Sequence, residues 1–287
     1  MGTSLQKREC ASCGLPFETQ FCPNCGERRL TEKDYSAFSL VNDFVVDVFN
    51  IENKFWRTLK YFLIKPATYV DEYIKGARKK FISPIKLFLL ANAWYFLFPA
   101  INTFKTSWTT QLGGLPYSSL TLDFLTKFQI STGLSASDFA LLYNDATAVI
   151  SKLFVIIQPL LFGLLTYLLY YRRRTEKPLI HHFNHSLVFY AFLLLIGVSI
   201  APATYSLIGI VLESEAMKDF RTEVNVTIFI FLILNIFGFF LYKKFFAEKW
   251  TKVVWKVLVL NLLFAPLLQI YRFILLWITL GWIWLTV

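Results

Sequence analysis

The sequence predicts an all-α polytopic membrane protein, about five transmembrane helices carrying a small N-terminal zinc-ribbon module, and three observations lead there. The chain is 56% hydrophobic and 18% aromatic but only 17% charged, whereas soluble domains carry about 25% charged residues. Five apolar stretches approach or exceed the roughly 20 residues that a helix needs to cross the hydrocarbon. All four cysteines lie between positions 10 and 25 of 287 residues. A single soluble core is excluded.

Residues 1–30 are the expected ribbon. Cys10-Ala-Ser-Cys13 and Cys22-Pro-Asn-Cys25 each place two thiolates on one tight turn, and two such pairs suit one tetrahedral Zn²⁺. Gly14 and Gly26 follow each pair directly and let the backbone fold back as a knuckle. Four thiolate ligands close the site to substrate, so the zinc is expected to be structural. A redox dithiol would require a strand–helix context that is absent. Reduced thiolates belong in the cytosol, which orients this end of the chain. Nearby bases Lys7, Arg8, Arg28 and Arg29 are balanced by Glu9, Glu18 and Glu27, which argues against nucleic acid as a partner.

Residues 31–82 are expected as an amphipathic, basic juxtamembrane segment. Apolar Phe38, Val41, Phe44, Val45, Val48 and Phe49 recur at helical spacing, as do Phe55, Leu59, Phe62 and Leu63. Pro66 is suited to open a further short helix and Gly76 to end it. Lys54, Arg57, Lys60, Lys65, Arg78, Lys79, Lys80 and Lys86 form a basic collar. Each base near an anionic surface contributes about 1 kcal/mol of attraction; the plainer reading is that the bases only enforce topology.

The transmembrane domain, 83–287, is expected to hold spans at 83–101, 148–171, 186–212, 226–247 and 253–285. The last, roughly 33 residues or about 50 Å as a helix, exceeds a core of about 30 Å. One long helix kinked at Pro266 is favoured over two short ones broken near Arg272. The connections alternate in charge. The external loop 102–147 carries Lys105 and Lys127 against Asp123, Asp138 and Asp145, and 213–225 carries four acids against two bases. By contrast, 172–185 carries Arg172, Arg173, Arg174 and Lys177 against Glu176, and 243–256 five lysines against Glu248. With the N-terminus cytoplasmic, every basic connection is cytoplasmic too. Five spans then put Val287 outside. Within the long loop, Gly113-Gly114-Leu-Pro116 and Ser118-Ser119 read as turns, and Ser137-Asp138 as the cap of a helix entering the second span.

Two further groups carry chemistry. His181, His182 and His185 open the third span, and His181 and His185 stand four apart, a spacing that suits a metal or a proton relay. No carboxylate completes a hydrolase motif, and a polar interface role is the plainer reading. Gln158, Asn235, Asn261 and Arg272 lie within spans and are candidates for a polar path, although amides there more often join helices.

The run Phe21-Cys-Pro-Asn-Cys25-Gly-Glu27-Arg28, then Phe55-Trp-Arg-Thr58-Leu, Lys65-Pro66, Glu72-Tyr-Ile74-x-Gly76-x-Arg78-Lys79-x-Phe81-Ile82-x-Pro84 and Lys86-Leu-Phe-Leu, resembles an uncharacterised Bacteroidota-type family of bacterial membrane proteins, a domain of unknown function. The His182-Phe183 stretch is similar too. Ala67 departs from the pattern, where glycine is expected after the proline. The resemblance implies a bacterial inner membrane and no activity. The expected function is a non-enzymatic adaptor or regulator whose ribbon binds an unidentified cytosolic or membrane protein, beside a collar on anionic lipid headgroups. A small-solute or lipid transporter is the alternative, and a membrane-embedded lipid-acting enzyme the second.

Overall fold

The computed structural model describes residues 8–28, 52–98, 104–170, 177–204, 207 and 223–286. The helical pattern over 38–49, the arginines at 172–174 and the acids at 213, 215 and 219 lie outside them.

Three local devices set the first helices. Helix α1 (Glu52–Ile64) stops where Pro66 opens α2 (Pro66–Ile74). Pro66 needs no donor at that position, and Ala67 sits buried in the first helical turn, where no left-handed backbone is required. Gly76 ends α2 at φ +112°. Its N–H reaches Tyr73 O at 3.0 Å and the next N–H, of Ala77, reaches Glu72 O at 3.0 Å, the paired bonds of a Schellman motif. Helix α3 (Pro84–Leu97) starts from Ser83, whose Oγ accepts the Lys86 N–H, with Pro84 at the first position. Its 14 residues span about 21 Å, less than a hydrocarbon core of about 30 Å.

The turn expected at Gly113–Pro116 is found over 114–117, whereas Ser118 and Ser119, also expected in a turn, are helical. Helix α4 (Trp108–Gly113) is capped by Ser107, and Ser118 and Ser119 open α5 (Ser118–Ser131). Gln111 holds the junction: its Nε2 donates to Tyr143 Oη at 3.2 Å and its Oε1 accepts from Tyr117 at 3.0 Å. Helix α6 (Ala136–Phe154) begins earlier than the cap expected at Ser137, because Ser135 Oγ takes the Asp138 N–H at 3.1 Å. Trp108, Phe139 and Tyr143 pack there against Leu276, Leu280 and Ile283 of the last helix.

Two prolines break the later stretches in the same way. Helix α7 (Ile157–Leu169) follows α6 at a bend of 47°. Pro159 has no N–H for the carbonyl of Val155 four residues back, and the break falls at 155–156. Helices α10 (Trp250–Leu262) and α11 (Phe264–Thr286) meet at Leu263, where Pro266 leaves Leu262 O without its donor. They continue one another as a 37-residue apolar rod, Trp250–Thr286. The run expected as one long helix is one, its regular bonding interrupted at Leu263, three residues before Pro266, and Arg272 lies within α11.

Among the described residues three helices are long and apolar enough to cross a membrane: α8 (Leu179–Thr204), the Ile228–Phe246 part of α9 (Glu223–Phe246), and the α10–α11 rod. The bent α6–α7 pair brings the number to four if it is one span. Helix α8 is the central one. It is buried over most of its length, packs against α7, α3 and α9, and turns π-helical over Leu193–Ile200. Close approach to α7 depends on Gly163, because a Cβ there would overlap the Phe183 ring.

Candidate metal centre

The first 20 or so described residues fold around the cysteines. Strands β1 (Arg8–Glu9) and β2 (Pro16–Phe17) pair antiparallel, Arg8 with Phe17 and Glu9 with Pro16, and a bridge joins Phe21 to Arg28. The two hairpins repeat one another twelve residues apart. Gly14 N–H bonds Cys10 O and Gly26 N–H bonds Cys22 O, each at 2.8 Å. Cys10 N–H bonds Leu15 O at 2.9 Å and Cys22 N–H bonds Glu27 O at 2.8 Å. Both glycines take left-handed backbones, φ +77° and +69°, which side chains other than glycine adopt at a cost.

This brings all four thiols together. Every Sγ lies within 4.8 Å of the others, with Cys10–Cys25 at 3.4 Å and Cys13–Cys22 at 3.6 Å. Thiolates at about 2.3 Å from one tetrahedral ion are about 3.8 Å apart, so the set fits a single metal. Its thiols are not equivalent. The Leu15 N–H, with smaller help from Asn24 and the other thiols, holds exposed Cys13 down to about 6. Burial pushes Cys25 up to about 12 and raises Cys10 as well.

The module is not free-standing. Buried Glu27, the residue after Gly26, accepts the Lys79 backbone N–H at 2.8 Å and the Ser12 hydroxyl on the same Oε2. The cysteine turns are thereby fastened to the loop between α2 and α3. That loop is itself tied down. Ile82 N–H donates to Thr58 Oγ1 at 3.0 Å, and Ile82 O accepts from Tyr69 Oη at 2.8 Å. Lys80 pairs with Glu72 at 2.6 Å and sits over the rings of Tyr61 and Phe81.

The collar bases therefore divide. Arg57, Lys60, Lys65 and Lys79 are exposed, Lys54, Arg78 and Lys80 half-buried, and Lys86 buried. Sequence reasoning set all eight on the membrane surface and did not single out Glu27, Thr58 or Tyr69 for contacts made far along the chain.

The histidines lie at one end of α8. His185 Nδ1 is 2.8 Å from His181 O, which can only accept, so Nδ1 carries the proton. Thr166 Oγ1 gives its own proton to Gly163 O at 2.8 Å and accepts from His182 Nδ1 at 3.0 Å. Both buried Nε2 atoms are bare acceptors with no partner among the described residues. Asp71, from α2, lies within electrostatic reach of His181 and His185, and Lys244 of α9 holds it at 3.0 Å.

Gln158 and Asn235 make their bonds to different groups. Gln158 accepts from Tyr190 Oη at 3.0 Å and donates to Leu267 O at 3.5 Å, joining α7, α8 and α11. Asn235 bonds Phe231 O of its own helix, Asn261 is buried on α10, and Arg272 is half-buried on α11.

A family model described as a protein of unknown function (DUF3667) matches residues 52–96, which are α1, α2, the laced loop and nearly all of α3. No curated protein and no solved structure matches the chain.

Proposed function

We propose that the chain is a non-enzymatic adaptor or regulator of a bacterial inner membrane, holding one structural Zn²⁺ in a cytoplasmic ribbon that binds a protein partner. The observation that carries this is Glu27 on the Lys79 amide: the four-thiol module is fixed against the collar, where a partner bound by one meets the other. Zinc is supported by the ligand set, because four thiolates favour it over oxygen-seeking ions and leave no open position. A zinc–thiolate site needs reduced cysteines, which supports a cytosolic side, as does the alternation of charge in the connections. In this reading α3, the α6–α7 pair and the three long helices are the five crossings, with the C-terminus outside and the collar on anionic headgroups.

The test is crosslinking and affinity purification of the full chain from native membranes, comparing wild type with C22S/C25S. A partner recovered with wild type and lost with the variant supports the adaptor. The same partner recovered equally from both defeats it.

The enzyme reading has one observation in its favour: the Nε2 atoms of His182 and His185 are buried with no partner among the described residues, and the His185 ring lies against Tyr242 at 6.0 Å between centroids. It requires loss of function when His181, His182 and His185 all become Gln, and retained function removes it. A transporter would use Gln158, Asn235, Asn261 and Arg272 as a shared path; Gln158 and Asn235 make their bonds separately, to neighbouring helices and to an own turn.

A further inference from the structure

A cavity of about 280 Å³ lies where the α1–α2 elbow meets α8 and α9. Its floor is the stacked pair Phe192 and Phe237, ring centroids 3.8 Å apart at 7°. One wall is Leu63 and Ile64 from the end of α1, and the other is Ile236 and Phe240 of α9. The floor is buried, while all four wall side chains are exposed. The side chains that line the groove are all apolar, and one wall belongs to a helix apolar enough to cross a membrane.

One end of it is basic. Lys65 stands between Ile64 and Pro66, both of which line the groove. Lys60 precedes Ile64 by four residues and Lys243 follows Phe240 by three, so each shares a helix face with a lining residue. Lys60, Lys65 and Lys243 are exposed, and none has a carboxylate partner among the described residues. The acid at that end, Asp71, is taken by Lys244. That ion pair also fixes which end of α9 the elbow meets: the lysine end, where the helix leaves the hydrocarbon. From Phe240 back to Ile233 the groove then runs about 10 Å into the apolar layer.

We propose that this groove holds one acyl chain of an anionic phospholipid, its phosphate met by Lys60, Lys65 and Lys243. This deepens the collar reading and rests on it. A zwitterionic lipid fits the apolar part equally well but brings a cation to a rim of three lysines. The other exposed collar bases, Arg57 and Lys79, adjoin in sequence no residue that lines this groove.

The experiment is native mass spectrometry of the full-length protein offered equal phosphatidylglycerol and phosphatidylcholine of the same chains. Wild type retains phosphatidylglycerol preferentially, each lysine contributing about fivefold. K60Q/K65Q/K243Q brings the two lipids to parity, and I236W, which fills the groove, expels both. A photoreactive residue at position 236 crosslinks to the lipid tail in otherwise unaltered protein, so the result does not depend on I236W folding. Undiminished phosphatidylglycerol in I236W, without the tail crosslink, overturns the groove and leaves the collar reading standing. Equal retention of the two lipids by wild type overturns both.

Discussion

Glu27 and Lys79, 52 residues apart, are joined by a carboxylate oxygen 2.8 Å from a backbone amide. Two residues beyond the last cysteine pair, the cysteine turns grip the loop that the amphipathic helices present. Removing the carboxylate in Glu27→Ala should cost the clasp about 1.5–3 kcal/mol, the usual worth of a hydrogen bond to a charged group. Hydrogen exchange at the Lys79 amide should quicken by about tenfold or more, while metal content stays that of wild type. Unchanged exchange would mean the loop holds this position without the carboxylate.

Metal binding should depend on pH in a known direction. Cys10 and Cys25 both have raised pKa values, Cys25 about 12, so both hold protons at neutral pH and must release them to bind an ion. Apparent affinity therefore rises with pH, with at least two protons released per metal between pH 7 and 8. Cys13, at about 6, adds to the proton count only as the pH falls toward and below that value. Competition titrations with a chelator at several pH values give the slope; a flat profile contradicts the assignment.

Ile82 has both its backbone groups committed to side chains, so those side chains should set the stability of the loop. Thr58→Val leaves the Ile82 N–H buried without its acceptor and should cost about 1–3 kcal/mol. Tyr69→Phe removes the donor to Ile82 O and should cost about 1 kcal/mol. The double variant should depart from additivity, because the two bonds hold one residue. Thermal midpoints in a single detergent would measure all three.

Gly163→Ala tests the packing of the central helix. The added methyl meets the Phe183 ring, and overpacking of this kind costs about 1–3 kcal/mol. A lowered midpoint is expected, together with easier proteolysis of the connection between α7 and α8. Gly281→Ala, where nothing lies within 4 Å of the added atom, is the control.

The cysteine spacing and the apolar runs were legible because each is local: two Cys-x-x-Cys turns need no knowledge of the rest of the chain, and apolar length needs only counting. The bend between α6 and α7 was legible in principle, since Pro159 denies a bond to Val155 just as Pro266 does to Leu262, but it lies inside a run read by hydropathy alone. The helices at 108–113 and 118–131 were hidden by glycine and serine, which suit caps as well as turns. The remaining contacts could not be read from spacing. Glu27 reaches Lys79, Asp71 stands by His185, and Lys80 turns inward to Glu72 only because distant segments fold together.

The two cysteine hairpins share their backbone bonds but not their side chains, and where the first has Leu15 the second has Glu27. A duplicated turn of this kind has an inherent twofold ambiguity, because either half could face the membrane domain. The single carboxylate removes that degeneracy, and exposed Leu15 is left pointing elsewhere as its apolar counterpart. The choice of docking face thus follows the Glu27 carboxylate, and exchanging the two residues should turn the cysteine module over against the loop.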